Sequence, residues 1–304
     1  YVSAWLKRHH PAAFCVGLIN SQPMGFYTPS QLIQDARRHG VSFLPIDVNY
    51  SEWDHTLMPQ PGSGQPPVRL GLRLVKGLSR EGAQRIVEAR QRQPFRQISH
   101  LRQRANLDKR DMEALADADA LQSLSGHRHQ SQWQIMALES PRPLLSQEQG
   151  QPGHYFNDEV ELPPPQVAEE VLADYRATGV TLRAHPMSLL RDRPPFNRCK
   201  RFIDLAEVGN NRFVRIAGLV TCRQRPGTAS GVLFLTLEDE TGNSNVVVWP
   251  RTQQHFRQAL MTGQLLLIKG TLETHDNVTH IIAGALFDYT EALQSLPVQS
   301  RDFH

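Results

Sequence analysis

The residues best suited to chemistry lie between Val75 and Arg90, in "VKGLSREGAQRIVEAR". Val75, Lys76, Gly77, Leu78 and Ser79 alternate apolar anchors with a cation, a glycine and a hydroxyl, and a helical run containing Ala83 and Ile86 follows. Gly77 can take a backbone conformation closed to other residues. A turn built on it would aim successive N–H groups outward at the start of the next helix, where partial positive charge favours an anion. A phosphate oxygen fits such a site, with Lys76 and Arg80 adding charge. No base edge is met in that geometry, so binding would be independent of sequence. This is the pattern of a helix-hairpin-helix, with Ser79 in the place of a usual second glycine. The same residues also suit a capped turn inside a helical core.

A degenerate second copy follows in "LDKRDMEALADADAL", where Leu107, Asp108 and Lys109 take the hairpin without a glycine. Lys109 and Arg110 are its candidate DNA contacts, although a copy that simply packs on the first is the simpler expectation. Charge points to the same region. The net charge is only +3, but residues 68–138 carry 13 Lys and Arg against 7 Asp and Glu. The segments 1–67, 139–212 and 213–304 hold 4 and 4, 9 and 11, and 7 and 8. A confined basic patch is the footprint of a polyanion-binding module.

Other chemistries find no support. "EDE" at Glu238–Glu240 reads as a solvated turn running into "TGN", and no glycine-rich phosphate loop, nucleophile elbow or zinc motif occurs. Cys15, Cys199 and Cys222 are scattered, which argues against a disulfide framework and a structural zinc and favours a reducing, cytoplasmic setting. "HRH" at His127–His129 lacks convergent partners, reads as surface, and leaves no metal site. No apolar run approaches the ~18 residues of a membrane span. The opening "YVSAWLKRHHPAAF" has neither an initiator Met nor a signal-peptide core, and the chain reads as a piece of a longer protein.

The elements that must position these residues follow from periodicity. Residues 1–67 read as helical first, with a helix opened by Pro11 and another capped by Thr28 or Ser30, carrying Leu32, Ile33 and Ala36 on one face and stopped by Gly40. "VSFLPIDVN" is extended, and "PQPGSGQPP" is a linker or hairpin loop. Residues 68–138 form a string of short helices. Residues 139–165 carry little regular signal and read as a flexible linker. Residues 166–212 form a connector that begins with an amphipathic helix ended by Gly179. From Phe213 the period changes to two: five strand-like runs, with one helical piece, "RTQQHFRQALM", between the third and fourth. That order is an OB-fold barrel over 213–290, with Gly218 and Gly270 suited to its bends and 291–304 left as a tail. The fold class is multidomain α+β. On the barrel, Arg215, Arg223, Arg225, Phe234, Trp249 and Lys269 are candidates for a single-strand face of stacking rings and cations. Phe234 suits the core equally, and the segment's charge leaves protein docking open.

With these residues in place, the chain resembles the C-terminal third of a bacterial C-family DNA polymerase over nearly its full length. "YVSAWLKRHHPAAFCVGLINSQPMGFYTPSQLIQDARRHGVSFLPIDVN" is similar to the end of that family's fingers domain. "GLRLVKGLSREGAQRIVEAR" and "DMEALADADALQSL" are similar to its tandem helix-hairpin-helix region, and "GVTLRAHPMSLLR" to the connector before its OB domain. "NSQPMGFYTPSQLIQDARRHGV" is similar to the error-prone, damage-associated branch rather than to the replicative alpha subunit.

The resemblance implies template-directed addition of deoxynucleotides by two-metal catalysis, with Mg2+ on palm aspartates that would precede Tyr1. This piece would then hold no cofactor and be inactive alone: the DNA-binding C-terminal region of an error-prone polymerase used in translesion synthesis and induced mutagenesis. It would grip primer-template duplex through the hairpins and single-stranded template or a partner protein through the barrel. The resemblance further places Lys7 and His9 on the fingers, near primer-template or nucleotide. Replicative members carry a clamp-binding peptide, Gln-x-x-Leu-Phe, in the interval where this chain has "PRPLLSQEQGQ", with Leu144 and Leu145. Direct sliding-clamp binding is therefore not expected, and recruitment through accessory mutasome proteins is. Two alternatives stand beside this reading: a non-catalytic repair scaffold whose barrel mainly docks such proteins, and the C-terminal part of a replicative polymerase III alpha subunit. An NAD-dependent ligase would bring a zinc module, which three scattered Cys cannot build, and an aminoacyl-tRNA synthetase would show its ATP-binding motifs.

Overall fold

Helix boundaries follow the local chemistry in the computed structural model, which describes residues 1–24, 27–59, 64–138, 161–227, 231–275 and 278–296. Pro11 opens α2 (Pro11–Asn20) after α1 (Val2–His9), its missing N–H being one the helix start leaves unused. Thr28, rather than Ser30, caps α3 (Pro29–Arg38) in a reciprocal capping box with Gln31, and Gly40 leaves the helix at φ +81°. The extended segment becomes β1 (Phe43–Leu44), which pairs in parallel with β3 (Val68–Arg69); β3 pairs antiparallel with β2 (Thr56–Leu57). "PQPGSGQPP" thus joins two antiparallel strands, with 60–63 outside the described residues.

The predicted short helices are α4 (Arg80–Arg92), α5 (Ile98–Arg104), α6 (Lys109–Asp117), α7 (Gln122–Ser125) and α8 (Arg128–Ala137). The linker lies outside the described residues over 139–160, Leu144 and Leu145 included. The helix after it is α9 (Val167–Ala177), followed by Gly179 at φ +78°.

The chain divides into two compact units. One comprises Tyr1–Gln166 with Ala173–Leu182, the other Val167–Leu172 with Arg183–His304. In the first, Ile33, Val68, Leu72, Ala83, Ile86, Leu101, Met112 and Leu115 share one core. Each large aliphatic side chain buried there contributes about 1.5–3 kcal/mol. Across α6, α8 and the end of α9, the buried Arg128 guanidinium pairs with Asp174 at 2.6 Å, and Thr181 donates to the same carboxylate.

The second unit is built on a closed five-stranded barrel in the order β4 (Arg212–Gln224), β5 (Leu233–Glu238), β6 (Asn243–Val248), β8 (Val278–Asp288), β7 (Leu265–His275). Every pair is antiparallel except β6–β8. Period-two alternation sends Val214, Ile216, Leu235, Leu237, Val246, Val248, Leu266, Ile268 and Ile281 inward. Gly270 sits at a register shift, where an added Cβ would lie 2.3 Å from the Ile282 carbonyl oxygen. A Cβ added at Gly218 would lie 2.8 Å from the Glu238 carbonyl oxygen.

Three expectations are corrected in this unit. The piece between the third and fourth strands is two helices, α11 (Pro250–His255) and α12 (Arg257–Thr262), because Phe256 leaves helical geometry at φ −116°, ψ 31°. The tail is not wholly separate: α13 (Thr290–Gln294) and Leu296 join α10 (Pro186–Leu190) and Phe196 in a cluster on the outer side of the barrel, against Ala217, Leu265 and Leu267. Residues 297–304 lie outside the described ones.

The third correction concerns "EDE", which is not a solvated turn. Glu238 and Asp239 are buried. Arg191 donates to Asp239 at 3.2 Å and to Glu240 at 2.8 Å, and Asp239 also accepts from the N–H groups of Phe202, Thr241 and Gly242. Burial pushes the Glu240 carboxyl up, the Arg191 guanidinium pulls it down further, and the balance lies below its ordinary value. His185, a buried helix cap whose Nδ1 accepts from the Met187 N–H, faces Glu238 across 3.6 Å.

Candidate nucleic-acid interface

A 3-10 turn at Leu72–Leu74 delivers the chain to the hairpin, where Val75 and Leu78 are buried and hold the loop to the core. Between them Gly77 takes φ +91°, a region that strains any residue with a Cβ. Ser79 then caps α4 by accepting from the Gly82 N–H at 2.9 Å. Asp111 of α6, 3% exposed, is the residue that sequence reasoning missed. Its carboxylate accepts from the Ser79 N–H at 2.9 Å and from the Ser79 hydroxyl at 3.0 Å. The N–H groups of Gly77, Arg80 and Glu81 form no hydrogen bond among the described residues, and these three residues are exposed. The arrangement offers several convergent donors at a helix start to an incoming oxyanion.

The predicted cations lie differently from one another. Arg80 is exposed, with its guanidinium over the Trp53 ring at 5.9 Å. The Lys76 ammonium instead donates to the Tyr175 and Arg176 carbonyls at 3.1 and 2.9 Å, and its N–H donates to the Ala177 carbonyl. Its charge is therefore directed at the last turn of α9.

The second hairpin does exist, shifted by a residue. Asn106 takes φ +47° where Gly77 stands in the first, Leu107 is buried like Leu78, and Asp108 caps α6 by accepting from the Asp111 N–H at 2.7 Å. Lys109 is thus already helical; it and Arg110 are exposed at the helix start, and Lys109 lies 3.7 Å from Glu113. Asn tolerates the left-handed region because its short polar side chain can bond locally. Arg85 ties the copies together by donating to the Ala105 and Asn106 carbonyls at 2.8 and 3.2 Å.

In α1, Lys7 pairs with Asp35 at 2.8 Å, and the His9 ring lies 4.8 Å from that of Trp5.

The six barrel candidates separate. Phe234 and Val247 pair across β5–β6, and Trp249 follows on the same side, 51% exposed. Arg225 lies nearby, donating to Gln253 of α11 at 2.5 Å. Arg223 is engaged at the end of α12, donating to the Leu260 carbonyl at 2.7 Å and to that of Gly263. Arg215 lies near the opposite end of β4 and pairs with Lys269 of β7. The other side chains with chemistry are muted: burial pushes the Cys15 thiol up to about 12 and that of Cys199 to about 11. His127 and His129 are half-buried and bond the Leu162 and Pro163 carbonyls. No group of three His, Cys, Asp or Glu is placed to hold a metal among the described residues. No helix among them is long and apolar enough to cross a membrane.

The helix-hairpin-helix motif family matches residues 40–131, and the OB-fold nucleic acid binding domain family matches residues 214–288. Together with the paired hairpins and the closed barrel, these matches define a nucleic-acid-binding chain. Its particular kinship is equally plain. Over its full length the chain is 52% identical to the error-prone DNA polymerase of Saccharophagus degradans, 51% to that of Teredinibacter turnerae and 50% to that of Methylococcus capsulatus. It is thus homologous throughout to part of the error-prone DNA polymerases, and spans about 30% of the length of these curated relatives. Among solved structures, an asparaginyl-tRNA synthetase from Pyrococcus horikoshii aligns at 22% identity over 26% of this chain and 20% of its own, with a TM-score of 0.24, too slight a likeness to carry an argument.

Proposed function

We propose that this chain is the DNA-binding C-terminal region of an error-prone polymerase acting in translesion synthesis, and that its first hairpin grips the backbone of primer-template duplex. The observation that carries the proposal is the exposed start of α4, where Gly77, Arg80 and Glu81 present free N–H groups beside the Arg80 guanidinium. Those donors meet phosphate, not base edges, so the grip is indifferent to sequence. The barrel takes single-stranded template. Nucleotide addition with Mg2+ belongs to the rest of the parent enzyme, and this chain alone is inactive. Recruitment runs through accessory mutasome proteins in the cytoplasm rather than through direct sliding-clamp contact.

The test is fluorescence anisotropy of the full chain with duplex, single-stranded and primer-template DNA over a salt series. Duplex binding should be salt-sensitive and equal for unrelated sequences. Gly77→Val should abolish it with the circular dichroism unchanged. Arg80→Ala should flatten the logarithmic salt dependence by about 0.9, the share of one phosphate contact. Duplex binding that survives both changes with its slope intact would remove the hairpin from the function.

A further inference from the structure

The outer face of β4 and β7 is covered along only part of its length. The α10–α13 cluster packs on Ala217, Leu265 and Leu267. Beyond it the same face continues bare. Phe213 opposes Thr271, and Arg215 opposes Lys269, directly across the two strands. Phe213 is 64% exposed and Arg215 is exposed as well. On the neighbouring β8, Phe287 is 37% exposed, and the Lys269 ammonium lies over its ring at 4.9 Å.

Two cations directly opposite on paired strands repel each other. Neither Arg215 nor Lys269 makes an ion pair among the described residues. This is an uncompensated positive spot between two exposed rings, on strands whose backbone groups are already held in the barrel. Rings spaced around cations suit an unpaired nucleic-acid strand, whose bases stack while its phosphates meet the charges. The β5–β6 side offers less: Phe234 is half-buried, Trp249 is exposed, and Arg225 is drawn to Gln253.

We infer that single-stranded DNA is held on the β4–β7–β8 face, by Arg215 and Lys269 on phosphates and by Phe213 and Phe287 on bases, and not on the β5–β6 face. The inference rests on the reading of the barrel as a single-strand binder. Phe213 and Phe287 are the two contacts that were not evident from sequence. All four side chains point away from the barrel core; Phe287 also meets the Phe256 ring edge-on at 6.2 Å, so circular dichroism checks the fold of each variant.

The experiment is anisotropy of the full chain with a fluorescent oligothymidylate, run for Arg215→Ala/Lys269→Ala, Phe213→Ala/Phe287→Ala and Trp249→Ala/Phe234→Ala. The first pair should weaken binding at least tenfold and lower the salt slope by about 1.4, two contacts of ~0.7 each. The second should weaken it about tenfold with the slope retained, since stacking carries no counterions. The third should bind as the parent does. The duplex affinity of all three should be unchanged. Loss confined to the Trp249/Phe234 variant would overturn this assignment while keeping the barrel as a single-strand binder. A parent chain with no affinity for the oligothymidylate would overturn both, leaving the bare face to a protein partner.

Discussion

His55 is buried and accepts from the Gly71 N–H at 3.0 Å through Nδ1. Burial, with Arg73 beside it, lowers its pKa from 6.5 to about 4. It therefore stays neutral in the folded chain where an unfolded chain would protonate it, so its contribution is complete above pH 6.5 and is lost as pH falls towards 4. The loss should approach about 3 kcal/mol at pH 4, measurable by denaturant unfolding across that window, and His55→Phe should flatten the dependence. Gly82 is a second sensitive position. A Cβ there would meet Asp111 Oδ2 at 2.4 Å and Ser79 Oγ at 2.7 Å. Gly82→Ala should cost about 1–3 kcal/mol in the same assay and should weaken duplex binding by shifting Ser79. The hairpin itself was legible, because Gly77 and Ser79 signal through their own backbone preferences. Asp111 was not, because an acid three residues into a helix looks the same from sequence whether it faces water or another helix's first turn. Asn106 was missed for a related reason: it takes the left-handed position less often than glycine, and no neighbour marks it.

At the scale of elements, the five strands were readable because inward and outward residues alternate along most of each, whereas the register shifts at Val220–Cys222 and Lys269–Gly270 leave no mark in that period. The break at Phe256 was not, since the apolar spacing runs on through two helices that differ only in backbone direction. "EDE" misled because its partner, Arg191, comes from a distant part of the sequence. Arg191→Ala should leave Asp239 buried beside Glu240 without a countercharge and destabilise the barrel unit by about 3 kcal/mol. Arg191→Lys should recover only part of this, because an ammonium cannot span both carboxylates as the guanidinium does. Arg223→Ala should have a smaller effect, fraying α12 where two carbonyls lose their donor. Hydrogen exchange resolved by peptide would show that fraying confined to residues 257–263.

For the whole molecule, the positive charge is local. The chain's net charge is only +3, and its excess sits in 68–138. Duplex affinity should consequently follow the hairpin variants and not general acidic substitutions elsewhere, such as Gln258→Glu on α12, a comparison the same salt series can make. The order of a helical region with its hairpin motif before a five-stranded barrel was legible. The mini-sheet of β1, β2 and β3 was not, because two-residue strands carry no period. The closure of the barrel has a consequence for the chain as it is made. β4 takes β5 and β7 as neighbours and β6 takes β5 and β8, so β6 keeps one open edge and the barrel stays unclosed until residue 288 has left the ribosome. The hairpin unit needs nothing past Leu182. Synthesis therefore delivers the hairpin unit before the barrel unit, and a message cut short within the barrel leaves a folded hairpin unit attached to an aggregation-prone open sheet.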